Sequence, residues 1–202
     1  MPSGKVGAVY RTDGNASVAF TNEATNTNAT YTRYDIANNS KQYWDDSVNI
    51  VVKKNGTVVS SGYIVEYPGG VIVFQTPLTN TDVVTVSGNY FNVVQCATFF
   101  NWKLDINLDL KEVTTFASNG WKEQLSTIKS WSSSAEGYWA DGTFAGLLGK
   151  NIVIVLYVDS TSNKRYEGYM YLKKNSITEA VDDVVKESCD IEGDGPLYYH
   201  DV

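Results

Sequence analysis

Short apolar segments separated by turn signals recur along the chain, and this pattern predicts a β-rich fold. Residues 83–90 alternate apolar and polar positions, as expected of a strand that buries one face. The Asn-Gly pair at 55–56 lies between two apolar segments and favours a tight hairpin turn, because both residue types tolerate positive φ. A Pro-Gly-Gly triplet at 68–70 separates two further segments. Turn signals thus recur about every ten residues between 43 and 91, which predicts a compact β-meander there.

Longer polar segments interrupt the apolar ones in the second half of the chain. We predict strands over residues 97–105 and 111–116, on either side of a polar bend at Asn107. Residues 121–130 have apolar positions at helical spacing, but their Ser and Thr residues are poor helix formers. We therefore predict a structured loop over residues 121–130.

One segment, residues 141–149, predicts a short helix. Asp141 or Thr143 would serve as its N-cap, and Gly149 would follow its last turn. Regular short strands around a single short helix are typical of sandwiches and barrels. The predicted fold class is therefore mostly β: a β-sandwich or barrel with one short flanking α-helix and a β-hairpin-rich N-terminal half.

Composition supports a packed domain and argues against two kinds of partner. Hydrophobic residues make up 43% of the 202-residue chain and aromatic residues 13%, which is enough to form a core. The net charge of −7 argues against nucleic-acid or anionic-membrane binding, because both require a basic surface. The longest apolar run, residues 152–158, is too short to span a membrane, and the first residues lack the apolar core of a secretory signal. No membrane partner is expected.

Patterns that could support catalysis or metal binding are sparse and incomplete. The presence of a single histidine, His200, argues against a histidine triad or a zinc site, and Cys96 and Cys189 are expected as free thiols. Residues 126–129 match the Ser-x-x-Lys motif of penicillin-binding serine enzymes without its partner motifs. The acidic turn at 190–195 lacks the final glutamate of a calcium loop. We expect no catalytic residue, no metal and no cofactor.

The tryptophans are concentrated in one part of the chain. Residues 101–140 contain four of the five tryptophans. Aromatic side chains suit half-buried strands and subunit contacts, and they also form the sugar-stacking platforms of lectins. We interpret them as core or interface residues, with sugar binding as the alternative.

Several short motifs follow one another in a recognisable order. They are FNWKLD at 100–105, EVTTF at 112–116, NGWKE at 119–123, SWS at 130–132, EGYW at 136–139, RYEGY at 165–169, DDVV at 182–185 and GDGPL at 193–197. In order and spacing they resemble the tail tube, or major tail, proteins of phages with long non-contractile tails (siphophages). The resemblance covers residues 93–199, and the chain before residue 91 resembles the family only loosely.

The resemblance implies a structural virion protein without enzyme activity. It implies a β-sandwich flanked by a short helix, with six copies forming a ring and rings stacking into a tube. Inner strands of neighbouring copies would join into a β-barrel around a channel for the tape measure protein and for DNA, which passes without specific binding. Further implied partners are the tail terminator and the distal tail or baseplate proteins. The implied location is the phage tail, with assembly in the host cytoplasm.

Within this resemblance, some residues are expected to shape the assembling strands and loops. They are Trp102, Gly120, Trp121, Trp131, Gly137, Trp139, Gly193 and Gly195. Asp105 and Asp109 are candidates for an acidic lumen wall, because charge of the same sign as DNA disfavours sticking. We expect Trp121 and Trp131 to anchor the loop at 118–130 to a neighbouring subunit or ring.

The expected organisation is a single tail-tube protein over residues 1–202, in which 93–202 carry the resemblance. The meander at about 43–91 would be an elaboration that supplies inter-ring contacts or an outer surface. The alternative function is a β-sandwich module for carbohydrate binding or adhesion. A glycan hydrolase using Asp182 and Asp183 is disfavoured, because adjacent strand residues point to opposite faces.

Overall fold

The computed structural model describes residues 7–179 and 181–201, and most of them lie in β-strands. The strands are β1 (Ala8–Thr12), β2 (Val18–Thr27), β3 (Arg33–Ile36), β4 (Val51–Lys54), β5 (Thr57–Val59), β6 (Tyr63–Glu66), β7 (Val71–Phe74), β8 (Val84–Tyr90), β9 (Val93–Gln95), β10 (Phe99–Glu112), β11 (Gln124–Tyr138), β12 (Asn151–Asp159), β13 (Lys164–Thr178) and β14 (Lys186–His200). Short 3-10 helices occupy Asn39–Lys41, Tyr67–Gly69, Phe116–Ser118 and Ala145–Leu147. The mostly β fold class is confirmed.

Hydrogen bonds arrange these strands in two sheets of seven. The strand order is β10-β11-β14-β13-β12-β1-β9 in one sheet and β5-β4-β8-β2-β3-β7-β6 in the other. No helix in the described part of the chain is long and apolar enough to cross a membrane.

The chain divides into two compact units. The first contains the described residues up to Ala97, then Ile152–Tyr169 and the chain from Tyr198 onward. The second contains Thr98–Asn151 and Met170–Leu197. Strands β13 and β14 therefore contribute residues to both units.

The core of the first unit shows why its segments become strands. Val84 and Val86 on β8 are buried, while Thr85 between them and Ser87 after them are only partly covered, which confirms the predicted alternation. These valines pack in a cluster around the fully buried Trp44, whose ring stacks on Phe20 at a centroid distance of 5.9 Å. Burial of each large apolar side chain contributes roughly 1.5–3 kcal/mol.

Both turns predicted in the meander are present. Asn55 and Gly56 have φ of 51° and 80° and join β4 to β5, so both sit in the left-handed region that this turn requires. The Pro-Gly-Gly triplet lies between β6 and β7, which pair antiparallel. The meander supplies strands β4 to β8, of which β8 pairs with β2 and β7 pairs with β3 in the same sheet.

Two predictions for the second unit are wrong. No bend interrupts β10 at Asn107, which pairs with Ser130, and the irregularity is a bulge between Leu108 and Leu110. The segment predicted as a loop over 121–130 is strand from Gln124 onward. The physical reason is non-local: each strand gives the other a full ladder of backbone hydrogen bonds, which outweighs weak local preferences.

The helix predicted over residues 141–149 is wrong in type. Only the 3-10 helix Ala145–Leu147 forms there, and the described residues contain no α-helix. Asp141 Oδ1 does accept a hydrogen bond from the Thr143 amide, as an N-cap would. Gly142 and Gly146 lie inside this short segment, and each glycine disfavours an α-helix by about 1 kcal/mol relative to alanine.

Candidate assembly surface

The hairpin of β10 and β11 is the longest regular feature of the second unit. Its pairing runs from Phe99 opposite Gly137 to Glu112 opposite Gln124, a length of about 45 Å at the usual rise per residue. On its other side β11 pairs with β14 only over Ser132–Tyr138. Strand β10 is the last strand of its sheet. The hairpin therefore presents an open strand edge along β10 and along the distal part of β11.

The hairpin has one apolar and one polar face, because directly paired residues in an antiparallel ladder share a face. On the apolar face, Trp102, Leu104 and Ile106 of β10 lie opposite Ala135, Ser133 and Trp131 of β11. On the polar face, Lys103, Asp105 and Asn107 lie opposite Ser134, Ser132 and Ser130. Because the Ser side chains are short, few groups protrude from the β11 part of the polar face.

The polar face continues on β14. Ser132 pairs with Glu192, Ser134 with Asp190 and Glu136 with Ser188. Glu192 is 3.5 Å from Lys173 Nζ on β13, and Asp105 is 2.6 Å from Lys103 Nζ. Lys186 lies on the same face, opposite Tyr138. The four carboxylates of Asp105, Glu136, Asp190 and Glu192 still outnumber the three ammonium groups of Lys103, Lys173 and Lys186, so this polar face is acidic.

Sequence reasoning found only part of this acidic face. Asp105 lies on it, whereas Asp109 lies in the bulge farther along β10, where its carbonyl accepts a hydrogen bond from the Thr127 hydroxyl. Glu136, Asp190 and Glu192 were missed. A signal for the last two existed, because exposed Asp190 and Glu192 alternate with buried Cys189 and Ile191 along β14.

On the apolar face, Trp131 packs against β14. Its side chain is 3% exposed, and its Nε1 donates to the Gly195 carbonyl at 3.1 Å. A Cβ on Gly193 would lie only 2.1 Å from the ring, so glycine is needed there for the indole to pack on β14. Gly195 has φ of 77°, a conformation that favours glycine. Trp131, Gly193 and Gly195 therefore form one packing cluster inside the second unit, and Trp131 is not exposed for an outside contact.

The distal part of the hairpin is apolar and uncovered. Its large exposed side chains are Ile106, Leu108, Leu110, Leu125 and Ile128. They lie on both faces of the ladder, because Leu110 pairs with Ser126 and Leu125 pairs with Lys111. Large apolar side chains gathered on one short exposed segment are typical of surfaces that meet a partner. The strand edge and the exposed apolar side chains occur on the same segment.

The tip of the hairpin is an ordered loop that displays two aromatic rings. Phe116 is fully exposed and Trp121 is 76% exposed. Reciprocal hydrogen bonds between Thr115 and Ser118 form a capping box around the 3-10 helix that begins at Phe116. Gly120 has φ of 81° and completes the turn before Trp121. The capped turn thus fixes the backbone from which the two rings project into solvent, and Phe116 was missed by sequence reasoning.

The remaining predicted residues lie at the base of the hairpin. Trp102 is partly buried and Trp139 is 44% exposed, with its amide donating to the Val185 carbonyl. A Cβ on Gly137 would come within 2.8 Å of the Thr98 carbonyl oxygen, so glycine permits the close approach of the chain at this end of the ladder.

The candidate metal and acidic sites lie within the described residues. Over residues 7–179 and 181–201, no group of three or more His, Cys, Asp or Glu side chains is placed to hold a metal ion. Asp183 is bound by Lys186 at 2.7 Å and by the Val184 amide, and these contacts lower the pKa of its carboxyl group. Exposed apolar groups and a free strand edge are properties of a surface that binds other protein chains.

Comparison with known proteins gives one family model and two similar solved structures. Residues 86–199 match a family model described as "Phage tail tube protein". No curated protein matches the chain. Two solved structures contain similar chains. One is titled "Virion of native gene transfer agent (GTA) particle", with 14% identity and a TM-score of 0.47, and covers 54% of this chain and 88% of that one. The other is titled "Tail of empty GTA particle computed with helical refinement, C6 symmetry", with 15% identity and a TM-score of 0.45, covering 54% and 87%.

Proposed function

Because this chain belongs to the phage tail tube protein family, we propose that its copies join through the β10–β11 hairpin into six-membered rings, which stack into a tube. The family makes the chain a structural component of the phage virion tail. The observation that supports this mode of assembly is the coincidence of an open strand edge with exposed apolar residues on the distal hairpin.

Ring formation would use two free strand edges. Strand β10 is the last strand of its sheet, and β13 has fifteen residues beside the nine of its neighbour β12, so part of β13 extends beyond that neighbour. Pairing the β10 edge of one copy with the exposed end of β13 in the next is a head-to-tail contact, which closes into a ring of six when each copy is rotated by one sixth of a turn. Such pairing also removes edges that would otherwise promote aggregation.

Ring stacking would use the hairpin tip. Phe116 and Trp121 are held outward by an ordered loop, and rigid aromatic side chains are effective interface anchors. The apolar side chains of the distal hairpin would be covered at the same time. Trp131 supports this contact indirectly, by fixing β11 on β14.

The acidic face would line the channel. Asp105, Glu136, Asp190 and Glu192 lie on one exposed face of adjacent strands, and their repetition around a ring would repel the phosphates of DNA. DNA would then pass without specific binding. The short Ser side chains between the carboxylates would leave few protruding groups on the channel wall to obstruct DNA or the tape measure protein.

The remaining parts of the proposal follow from the family role. The tube would end at the tail terminator and at the distal tail or baseplate proteins, and it would assemble in the host cytoplasm. The proposed role is assembly and conduction, with no catalytic step and no cofactor.

Electron microscopy of the concentrated protein tests the proposal. We expect the wild-type chain to form hollow tubes of uniform width and Trp121→Ala to remain soluble without forming them. Ile64→Ala is the matched control, because Ile64 is also an exposed large side chain, at 57%, but belongs to the first unit. Tubes formed equally well by Trp121→Ala would show that the hairpin tip is not a stacking contact.

Hydrogen exchange provides the second measurement. Amide protons on the open edge of β10 should exchange rapidly in the monomer and become protected in the tube. Equal protection of these amides in both states would contradict ring closure through β10.

A further inference from the structure

We propose that the first unit contains a binding site for a neutral saccharide, separate from the assembly surface. The site is a cavity of about 440 Å³ lined by residues from β2, β3, β13, the last residue of β14 and nearby connecting segments. Its volume is in the usual range for small-molecule sites, about 300–1,000 Å³. Every residue that lines it belongs to the first unit.

A buried network of charged groups forms the floor of the cavity. Glu167 is fully buried and accepts a hydrogen bond from Arg165 Nε at 2.9 Å. Its second oxygen contacts His200 Nε2 at 2.5 Å, and these two atoms have no other partner in the described residues. Arg33 Nη2 lies 3.0 Å from His200 Nδ1. Because Arg33 can only donate, Nδ1 accepts and Nε2 carries the proton that faces Glu167.

The two other nitrogen atoms of Arg33 are also engaged. Its Nη1 donates to Glu66 at 3.0 Å and its Nε donates to Asp35 Oδ1 at 3.1 Å. The chain passes this network at Gly69, where a Cβ would come within 2.5 Å of Glu167 Oε1. The guanidinium groups of Arg33 and Arg165 are therefore paired with three carboxylates, those of Asp35, Glu66 and Glu167. Among the described residues, the floor thus holds no unpaired cation that would attract an anion.

Arg165 orients two amide side chains at the cavity wall. Its Nη1 donates to Asn163 Oδ1 at 2.7 Å and its Nη2 donates to Gln42 Oε1 at 3.2 Å. Each amide thus turns its oxygen toward Arg165, and its NH₂ group remains available as a double donor. Both residues are partly exposed. The cavity therefore has donors whose orientation is set before any ligand arrives.

Acceptors and further amides complete the wall. Asp35 uses Oδ1 for Arg33, which leaves Oδ2 as an acceptor, and the side chain is 38% exposed. Asn26 and Asn39 also line the cavity, and no hydrogen bond within the part of the chain that is described engages their side chains. Both can donate and accept.

This combination selects the class of ligand. Sugar hydroxyl groups each donate and accept, so they match closely spaced amide donors and carboxylate acceptors. Ile36 supplies the single apolar side chain among the lining residues, so the cavity offers no pocket for the apolar side chains of a peptide. The paired charges disfavour an anionic ligand. A neutral saccharide fits these properties.

Ligand-observed NMR on the full chain tests the proposal. The probes are glucose, galactose, N-acetylglucosamine and rhamnose, with sialic acid as the anionic comparator. We expect at least one neutral sugar to bind the wild-type chain. The double variant Gln42→Glu/Asn163→Asp keeps the oxygens that accept from Arg165 but replaces both NH₂ donors by acceptors. We expect it to weaken binding at least about tenfold, as loss of donors to a ligand does.

Asn80→Asp is the matched control, since it makes the same chemical change on an exposed turn outside the cavity. It should bind like the wild-type chain. Asn39→Asp, at an exposed lining position, gives a second variant if the double variant unfolds. Binding of the free sugar and binding of a polysaccharide of that sugar, measured separately, distinguish a small ligand from a cell-envelope polymer, and either supports the site. The proposal is overturned if no neutral sugar binds, if only sialic acid binds, or if both Asn39→Asp and a folded double variant bind normally.

Discussion

Replacing Gly193 by alanine places a methyl group against the indole of Trp131. The new Cβ would lie 2.1 Å from Cε2 and 2.3 Å from Cδ2 of the ring, whereas carbon atoms in contact are normally about 3.5–4.0 Å apart. The ring must therefore move by more than 1 Å, and overpacking of this kind costs about 1–3 kcal/mol. The hydrogen bond from Trp131 to the Gly195 carbonyl would be lost as well, for about 1 kcal/mol.

The expected loss of unfolding free energy is therefore about 2–4 kcal/mol. For a chain of this size, that lowers the melting temperature by roughly 5–15 °C. Urea denaturation followed by tryptophan fluorescence measures the change, since Trp131 itself reports on the site. Gly146→Ala is the control, because a Cβ there meets no atom within 4 Å.

A double-mutant cycle isolates the contact between the two residues. Trp131→Phe provides a smaller ring, so Gly193→Ala should cost less in that background than in the wild-type chain. If Gly193→Ala and Gly146→Ala are equally stable within about 0.5 kcal/mol, Trp131 does not pack on β14 as described.

Two further outcomes are expected. In the first unit, burial acts to raise the pKa of the Asp45 carboxyl group, but hydrogen bonds from Ser17 and Ser47 outweigh it and hold the pKa below its ordinary value. The stability that the ionised Asp45 carboxylate contributes is therefore present above its ordinary pKa of about 3.9 and is lost as pH falls through the lower pKa of the folded state. In urea titrations, Asp45→Asn should lose less unfolding free energy between pH 5 and pH 3 than the wild-type chain does. An equal loss in both chains would refute this. In the second unit, the double variant Asp190→Lys/Glu192→Lys should still form tubes, and in a sedimentation assay these tubes should retain DNA at low salt and release it at high salt. The control variant Lys173→Glu should form tubes that do not retain DNA. Equal retention by both variants would argue against a lumenal position of Asp190 and Glu192.

The sequence predicts the first unit well, because its signals are local. The alternation of apolar and polar residues predicts β8, and the residue types of Asn55-Gly56 and of the triplet at 68–70 strongly favour turns. The second unit depends on pairing between residues far apart. Residues 124–130 lack strong strand propensity, and they become strand because β10 lies beside them. No local pattern contains that information.

The surface residues divide in the same way. The concentration of tryptophans points to Trp121 and Trp131 equally, but Trp121 is exposed at the loop tip whereas Trp131 is buried. The burial of Trp131 depends on Gly193, which lies sixty-two residues later in the chain. Asp190 and Glu192 were predictable from alternation along β14 once that strand was recognised. The saccharide cavity was not, because its floor joins Arg33, Glu167 and His200 from distant segments.

The tight turn at Asn55 and Gly56 has a practical consequence for engineering. A Cβ on Gly56 would meet no atom within 4 Å, both residues are exposed, and the turn joins two short strands ahead of the residues that match the family model. Exposed loop tips of this kind are where inserted sequences are best tolerated. A peptide epitope spliced into this turn would be repeated once per copy, so a self-assembling tube would become a scaffold for regularly spaced antigen display.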